Sequence, residues 1–236
     1  MNELKNWDNK TWLSSNSYIS SFNSFLLKKK KLNKNSRILD IGCGRGKIFG
    51  YLSRKLKLTN KPIGIDPVTH NDVDKSIDFI NEDVFEFFKK NQNKFDLIMI
   101  KQTLHFFNKE KRLKLIKACK NNLNKNGVLF VFSLNTLNNE IPCFRLMKQK
   151  LNRGLKRDSR MLKSACKILK DNKIDKFTFK VLITKDKYTQ MLKQKYISCL
   201  VNLSKAQIIK GIKEIRNTYS NNISFKDILI CIKYKH

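Results

Sequence analysis

The sequence predicts an α/β domain built on a doubly wound, mostly parallel β-sheet. Short apolar segments alternate with amphipathic segments five times within residues 37–134. Strands that are apolar on both sides are typical of a parallel sheet covered by helices on both faces. A second observation is the glycine-rich turn "DIGCGRG", which directly follows the first apolar segment. Such a turn between a strand and a helix is common where a backbone approaches a ligand closely.

The predicted elements follow one another at short spacing. Apolar residues between Trp12 and Leu26 recur at close to 3.6-residue intervals and predict an amphipathic N-terminal helix. The turn "NKNG" before the fifth strand is expected to need a positive φ, which Gly127 would supply. The five strands are predicted at "RILDI", "KPIGID", "IDFINED", "FDLIMI" and "VLFVFSL". Helices are predicted at "KIFGYLSRKLKL", "VFEFFKKN" and "NKEKRLKLIKACKNNL".

Beyond Leu134 the alternation lapses. A long basic helical stretch, interrupted near Gly154, precedes the predicted strand "KFTFKVLIT". Two further helices are predicted at "KDKYTQMLKQKYI" and "LSKAQIIKGIKEIRNTY", the second with Ser204 as its N-cap. The segment "ISFKDILICIKYK" predicts one long strand or a strand pair. No repeat or linker composition appears, so one domain with an insertion is expected.

Composition limits the protein class. Of the 236 residues 41% are hydrophobic, enough for a sizeable core, and no apolar run approaches the roughly 20 residues of a membrane span. No secretory signal is recognised at the N-terminus. The six scattered cysteines form neither CxxC nor Cys/His spacing. They predict reduced, buried thiols in a cytoplasmic protein without a metal site.

The formal net charge is +31, from 50 Lys and Arg against 19 Asp and Glu. A balance this basic favours nucleic acid or an anionic surface as a partner. Only nine of the cations are arginines, and the chain is rich in Lys, Asn, Ile and Phe. An AT-rich genome favours this composition through its codons, and we prefer that explanation of the charge.

Acidic residues stand at the ends of three predicted strands. Asp40 precedes the Gly42-x-Gly44-x-Gly46 turn, Asp66 ends the second strand and Asp83 follows the third. In an open parallel sheet the ligand lies beyond the carboxyl ends of the strands, where the strand order reverses. A carboxylate about 20 residues after the glycines is typical of ribose recognition. The pattern predicts a nucleoside-containing ligand.

Five segments in order resemble the motif series of class I S-adenosylmethionine-dependent methyltransferases. These are "ILDIGCGRG", "GIDP", "NEDVFEF", "FDLIMIKQTLHFF" and "LNKNGVLFVF", and the resemblance covers about residues 35–135. The "LHFF" segment is similar to "LHHF" of the small-molecule branch (UbiE-like and trans-aconitate-methyltransferase-like, type 11/25 domains). The resemblance implies a Rossmann-like, seven-stranded sheet with an N-terminal helix and a helical insertion after strand five. S-adenosylmethionine is the implied cofactor.

The resemblance also implies roles for individual residues. Asp40 and the glycine turn would bracket the methionine part of the cofactor, and Asp66 would hold the ribose. Asp83 with the Val84 backbone would face the adenine. The implied cofactor-binding residues are Asp40, Gly42, Cys43, Gly44, Gly46, Asp66, Pro67, Asp83, Val84, Lys101 and Gln102. One departure is the short segment 66–77, which leaves room for a single helical turn or none.

Residues 1–236 are expected to form a single methyltransferase domain. Residues 1–34 would be an N-terminal lid helix, 35–135 the cofactor-binding core, and 136–236 the helical insertion and C-terminal strands of the acceptor side. Trp12 and Tyr18 are candidates for a lid over the cofactor, although Trp12 would serve equally well to pack the helix on the sheet.

Methyl transfer from a sulfonium needs mainly proximity and orientation, and a general base only where the acceptor must lose a proton. His105, beyond the fourth strand, is the candidate base, with a cap or packing role as the alternative. Neither His70 nor His236 is assigned a role. Four arginines of the insertion, Arg145, Arg153, Arg157 and Arg160, either recognise an anionic acceptor or form a solvated basic helix. The spacing of Tyr188, Met191 and Tyr196 indicates core packing.

The favoured function is methyl transfer to a small-molecule acceptor. A nucleic-acid acceptor is the alternative suggested by the charge, although "KQTL" is not the Asn/Asp-Pro-Pro-aromatic turn of base-amine methylation and no single-strand platform is visible. A non-catalytic cofactor-binding partner subunit is less favoured, because the acidic and glycine positions are intact. A dehydrogenase is the remotest alternative. The acceptor atom and the oligomeric state are not predicted.

Overall fold

The computed structural model describes residues 8–236, and seven strands of this part of the chain form one sheet. The strands are β1 (Ile38–Ile41), β2 (Ile63–Ile65), β3 (Asp78–Ile80), β4 (Phe95–Lys101), β5 (Leu123–Leu134), β6 (Lys173–Thr184) and β7 (Asn222–Lys235). The helices are α1 (Asn16–Lys29), α2 (Lys47–Leu56), α3 (Val84–Lys90), α4 (Lys109–Asn121), α5 (Arg145–Ile168), α6 (Lys185–Lys193) and α7 (Lys205–Thr218). Short 3₁₀ helices span Trp12–Ser14, Leu104–Phe106 and Ser198–Leu200.

The sheet has the strand order β3-β2-β1-β4-β5-β7-β6, which confirms the predicted doubly wound, mostly parallel fold. β1 pairs in parallel with β2 on one side and with β4 on the other. The strand order therefore reverses between β1 and β4, and a crevice opens there beyond the carboxyl ends of the strands. The glycine turn after β1 lies at this position.

Both faces of the sheet are covered, which explains the continuous apolar strands. In β4, Leu97 and Met99 join a core cluster with α1 and α2, whereas Ile98 and Ile100 join a second cluster with α4. Successive side chains of a strand point to opposite faces, so a strand between two helical layers must be apolar at every position. α5 contributes to both clusters.

The closing segment is one long strand, the first of the two predicted alternatives. β7 lies between β5 and β6 and runs antiparallel to both. Its pairing with β6 extends over twelve residue pairs, from Lys173 with Lys233 to Thr184 with Asn222. β7 and β6 thus form an antiparallel edge on an otherwise parallel sheet.

The predicted break at Gly154 is wrong, because α5 runs without interruption from Arg145 to Ile168. The predicted positive φ at Gly127 is also wrong, since Asn126 takes that conformation (φ +65°) inside β5. Gly127 is needed for a different reason. A Cβ there would lie 2.7 Å from the carbonyl oxygen of Phe95 and 2.8 Å from that of Asn124. Close backbone approach therefore requires the glycine.

Other local predictions have clear outcomes. Ser204 caps α7 as predicted, in a reciprocal arrangement with the side chain of Gln207. Residues 66–77 contain turns and bends and no helix. All six cysteines are free, but only Cys119 and Cys231 are fully buried. No helix between residues 8 and 236 is both long and apolar enough to cross a membrane.

Candidate active site

The turn after β1 holds its three glycines in the left-handed region, with φ of +72° at Gly42, +54° at Gly44 and +67° at Gly46. A Cβ at Gly42 would lie 2.1 Å from Oγ1 of Thr103, and one at Gly46 would lie 2.1 Å from Cδ1 of Ile77. A Cβ at Gly44 would meet no atom within 4 Å. Two glycines are thus required by packing, while Gly44 leaves open space beside the turn.

Asp66 ties the end of β2 to this turn. Its Oδ2 accepts a hydrogen bond of 2.9 Å from the backbone N–H of Gly44, and its Oδ1 accepts one of 2.9 Å from Val68. Nε2 of His70 lies 3.6 Å from Oδ1. A carboxylate offers about four acceptor positions, so Asp66 retains capacity for further donors.

Asp40 and Lys101 form a partly buried pair of opposite charges at the ends of β1 and β4. Burial raises the pKa of Asp40 to about 7, although the Lys101 ammonium opposes this rise and Asp66 adds to it. Desolvation lowers the pKa of Lys101, against the opposing effects of Asp227 and Asp40. The Lys101 ammonium lies 5.5 Å from the ring centroid of Tyr18 and 5.6 Å from that of Phe22. The rings favour the charged form of the amine.

The N-terminal segment crosses this end of the sheet. Arg45, in the glycine turn, pairs with both carboxylate oxygens of Asp8 at 3.0 and 3.2 Å. Trp12 is 7% exposed and packs edge-on against Tyr196 and Phe225. The two roles considered for Trp12 are therefore compatible, since it packs in the core and also lines the cavity described next. Residues 1–7 of the predicted lid segment lie outside the described residues.

A cavity of about 800 Å³ opens beyond the carboxyl ends of the strands. We call it the main cavity. Its lining includes nine of the residues predicted for the site: Trp12, Gly42, Asp66, Pro67, Asp83, Val84, Lys101, Gln102 and His105. Four others border the turn without lining the cavity: Asp40, Cys43, Gly44 and Gly46. Tyr18 does not line it, and its ring is fully buried between α1 and β6.

Two of the lining residues also have structural roles. Asp83 is the N-cap of α3, with its Oδ1 accepting a hydrogen bond of 2.8 Å from the N–H of Phe85. Gln102 adopts φ +53°, a conformation that costs a non-glycine residue roughly 1–3 kcal/mol. Its N–H donates to the carbonyl oxygen of Phe132 at 2.9 Å. This strained corner turns the chain from β4 toward Thr103 and His105.

His105 lies in the 3₁₀ helix after β4 and is half-buried. Burial lowers its pKa, Asp158 raises it and Arg157 lowers it further. Its Nε2 is buried and makes no hydrogen bond to any of residues 8–236. Asp158 is itself buried on α5 and pairs with the guanidinium of its neighbour Arg157 at 3.0 Å. An imidazole in this setting is neutral at pH 7 and able to accept a proton.

One part of the lining of the main cavity comes from α5, from β7 and from the chain between α6 and α7. Of the four arginines considered there, Arg153 and Arg157 line the cavity, whereas Arg145 and Arg160 do not. Five further lining residues were not predicted from the sequence: Lys150, Gly154, Asp158, Lys195 and Asp227. Three of them, Lys150, Gly154 and Asp158, lie at i, i+4 and i+8 along α5, a spacing that is visible in the sequence but not specific.

Tyr188, Met191 and Tyr196 are buried, which confirms their predicted place in the core. Tyr196 also reaches the cavity wall. Within residues 8–236 no group of three or more His, Cys, Asp and Glu side chains is arranged to hold a metal ion.

Residues 15–182, more than half of the chain, match a family described as a methyltransferase domain. A sequence comparison with curated proteins gives no match. Similar solved structures include the plantazolicin methyltransferase BpumL in complex with a monoazolic desmethylPZN analog and SAH. It shares 17% identity over 98% of this chain and 88% of that chain, with a TM-score of 0.53.

A second similar structure is the precorrin-6y C5,15-methyltransferase from Geobacter metallireducens, at 12% identity, 94% and 90% coverage and a TM-score of 0.51. A third, described as a methyltransferase of an antibiotic biosynthesis pathway in Anabaena variabilis, has 13% identity, 89% and 95% coverage and a TM-score of 0.60. At such identities these likenesses show the fold. The narrower UbiE-like branch stays a prediction. The matched family shows that the chain belongs to the methyltransferase-domain proteins and is an S-adenosylmethionine-dependent methyltransferase.

Proposed function

We propose that the enzyme methylates a small-molecule acceptor enclosed in the main cavity. The observation that carries this proposal is the cavity itself. Its volume of about 800 Å³ falls within the range of roughly 300–1,000 Å³ that is usual for small-molecule sites. Trp12, α5 and the Ser198–Leu200 helix all contribute to its lining. A cavity of this size favours a compact acceptor over a polymer.

The residues around the glycine turn fit the cofactor. Open space beside Gly44 would be filled by any side chain, and Asp66 presents a carboxylate with spare acceptor capacity. Asp66 would hold the ribose hydroxyls, Asp83 and Val84 would border the adenine, and Lys101 and Gln102 the methionine part. When bound, S-adenosylmethionine supplies a methyl group already activated by its sulfonium.

This chain's own contribution is mainly orientation and the exclusion of water. The N-terminal segment is anchored on both sides of the crevice, to Arg45 in the glycine turn and to Asp227 on β7. Fixed reactants gain up to about 7–11 kcal/mol from proximity and orientation. A segment held at both ends would keep bulk water from the acceptor.

His105 would act as general base for an acceptor that must lose a proton. Its lowered pKa keeps the imidazole neutral, and its buried Nε2 makes no hydrogen bond within the described part of the chain. Asp158 would stabilise the imidazolium that forms, since its charge favours the protonated ring. Arg157 holds Asp158 in place. An acceptor without a dissociable proton would bypass this step.

The names of two similar structures, which refer to plantazolicin and to a precorrin, support a small acceptor. A nucleic-acid acceptor remains the alternative and depends on the net charge of +31. If the charge only reflects composition, RNA should bind weakly and in a salt-sensitive manner. If RNA is the true substrate, it should be methylated at physiological salt.

The test is calorimetric titration of the protein with S-adenosylhomocysteine, followed by incubation with labelled S-adenosylmethionine and a library of small acids, amines, thiols and phenols, beside RNA. We expect micromolar binding that Asp66→Ala weakens by about 10–100-fold, as for the loss of charge-assisted hydrogen bonds. The exposed Asp72→Asn variant is the matched control. Absence of binding by the folded protein, or label in RNA alone, would contradict the proposal.

A further inference from the structure

A second, smaller cavity of about 360 Å³ lies between α4 and α5. We call it the α4–α5 groove. Four cations line it, Lys109, Arg112, Arg157 and Arg160, and none of the described residues that line it is acidic. Its floor is apolar and includes the buried side chains of Ile116 and Met161. Cations beside an apolar floor interact more strongly with an anion than cations in open water do.

The share of arginine among the cations is higher in the groove than in the whole chain. Only nine of the 50 cations in the chain are arginines, yet three of the four in this groove are. Four cations drawn at the overall ratio would include about one arginine. A codon bias toward lysine cannot account for this enrichment. Guanidinium groups bind carboxylate and phosphate in a bidentate manner that ammonium groups cannot reproduce.

Most of the cations in the groove are not neutralised by an acidic side chain of the described residues. Lys109, Arg112 and Arg160 form no ion pair with any acidic residue in 8–236, and only Arg157 pairs with Asp158. The Nε of Arg112 donates to the backbone carbonyl of Asn108 at 3.3 Å, which orients its guanidinium. An anionic group would supply the missing negative charge.

The α4–α5 groove adjoins the main cavity. Arg157 lines both, and the 3₁₀ helix between them contributes His105 to the main cavity and Leu104 to the groove. A ligand with its body in the main cavity and an anionic group in the groove would therefore lie along α5, beside Arg157 and the 3₁₀ helix of His105.

We propose that the α4–α5 groove binds a phosphate or carboxylate group of the acceptor, at the end remote from the methylated atom. This inference rests on the proposed small-molecule function. A nucleic-acid strand fits the groove less well, because none of the described residues that line it is aromatic and single-strand platforms stack bases on aromatic rings. Its volume also suits one or two anionic groups rather than a strand.

The experiment compares 1-naphthyl phosphate, 1-naphthoate and neutral 1-naphthol by calorimetry on protein saturated with S-adenosylhomocysteine, at constant ionic strength. We expect at least one of the two anions to bind ten times more tightly than 1-naphthol, and the two values to show which anion is preferred. The R112Q/R160Q variant is expected to remove this preference and to leave 1-naphthol unaffected. R112K/R160K, which keeps the charge, is expected to lose at least threefold.

The control variant is K117Q/K163Q, which removes two exposed cations from the same two helices outside the groove. We expect it to change anion affinity by less than twofold. Three outcomes would overturn the inference. The two glutamine variants could lose anion affinity equally, or the anions and 1-naphthol could bind equally well. The third is a 12-nucleotide RNA that binds more tightly than either anion and depends on the same arginines. Failure to bind S-adenosylhomocysteine would instead contradict the proposed function, because none of these variants lies near the glycine turn.

Discussion

The indole Nε1 of Trp12 donates a hydrogen bond of 2.9 Å to Oδ2 of Asp227, and the two residues are 215 positions apart in the sequence. The Asp227 side chain is 1% exposed, and burial raises its pKa, while the indole and Lys101 lower it. One contact thus fastens the N-terminal segment to β7, and both residues line the main cavity.

We expect Trp12→Phe to lower the free energy of unfolding by about 1–3 kcal/mol, because it leaves a buried carboxylate oxygen without its donor. Chemical denaturation measures this change. Asn16→Ala, at an exposed position just beyond the same 3₁₀ helix, is the control and should change stability by less than about 0.5 kcal/mol. Equal effects of the two substitutions would show that the indole hydrogen bond does not anchor the segment.

Gly44 and Gly154 form a matched pair, because a Cβ at either position meets nothing within 4 Å. Gly44→Ala should cost roughly 1–2 kcal/mol of stability through its left-handed backbone and should weaken S-adenosylhomocysteine binding more than tenfold. Gly154→Ala, inside a helix, should stabilise the protein by about 1 kcal/mol and leave that affinity unchanged. Thermal unfolding and calorimetry test both, and undiminished binding by the Gly44 variant would refute the proposed position of the cofactor.

Asp40 should make stability depend on pH. Its pKa in the folded protein is about 7, above the ordinary value of 3.8 that applies to the unfolded chain. Between these values the folded state binds more protons, so the contribution of Asp40 is complete at low pH and is lost as the pH rises through 7.

Asp40→Asn should therefore gain stability relative to the natural sequence on going from pH 4 to pH 8, by up to about 4 kcal/mol. Denaturant titrations of both proteins at the two pH values give the difference. An equal stability difference between the two proteins at pH 4 and at pH 8 would mean that Asp40 stays charged. The effect of the Lys101 ammonium on the pKa of Asp40 would then outweigh the effect of burial.

His105 should control the pH dependence of turnover once an acceptor has been found. His105→Asn is expected to reduce kcat by about 10²–10⁴-fold for an acceptor that loses a proton, without affecting S-adenosylhomocysteine binding. In the unsubstituted enzyme the acidic limb of the profile should lie below pH 6.5, because the pKa of His105 is lowered.

Asp158→Asn removes the charge that raises the pKa of His105, so it should shift the acidic limb of kcat to still lower pH. A purely structural role for Asp158 would lower stability and leave the limb in place. The pH profiles of the two enzymes, measured with one acceptor, separate these outcomes.

The parallel part of the sheet and its glycine turn were predictable because their signals are local. Gly42, Asp66 and Asp83 each follow a strand within three residues, and parallel strands bring their carboxyl ends to one edge. Even so, the positive φ expected at Gly127 belongs to Asn126. A glycine in a turn can be required by close approach of the backbone instead of by its conformation, and Gly127 is such a case.

The part of the cavity lining beyond residue 135 was not predictable in the same way. Asp158 and Asp227 line one cavity only because α5 packs beside it and β7 runs back between β5 and β6. Neither the packing of α5 nor the pairing register of β7 has a local signal near these residues. A mid-helix glycine is unfavourable, so Gly154 predicts a helix break, yet α5 tolerates it.

The position of β7 has a consequence for biosynthesis. β6 leaves the ribosome before β7, but within the described sheet β7 is its sole neighbour and separates it from β5. Until β7 has been translated, β5 and β6 both expose unpaired edges on a nascent chain, where such edges invite association with other chains. Asp227 lies within β7, so the anchor for Trp12 is also late to appear. The order of translation thus delays closure of the main cavity until the sheet is complete.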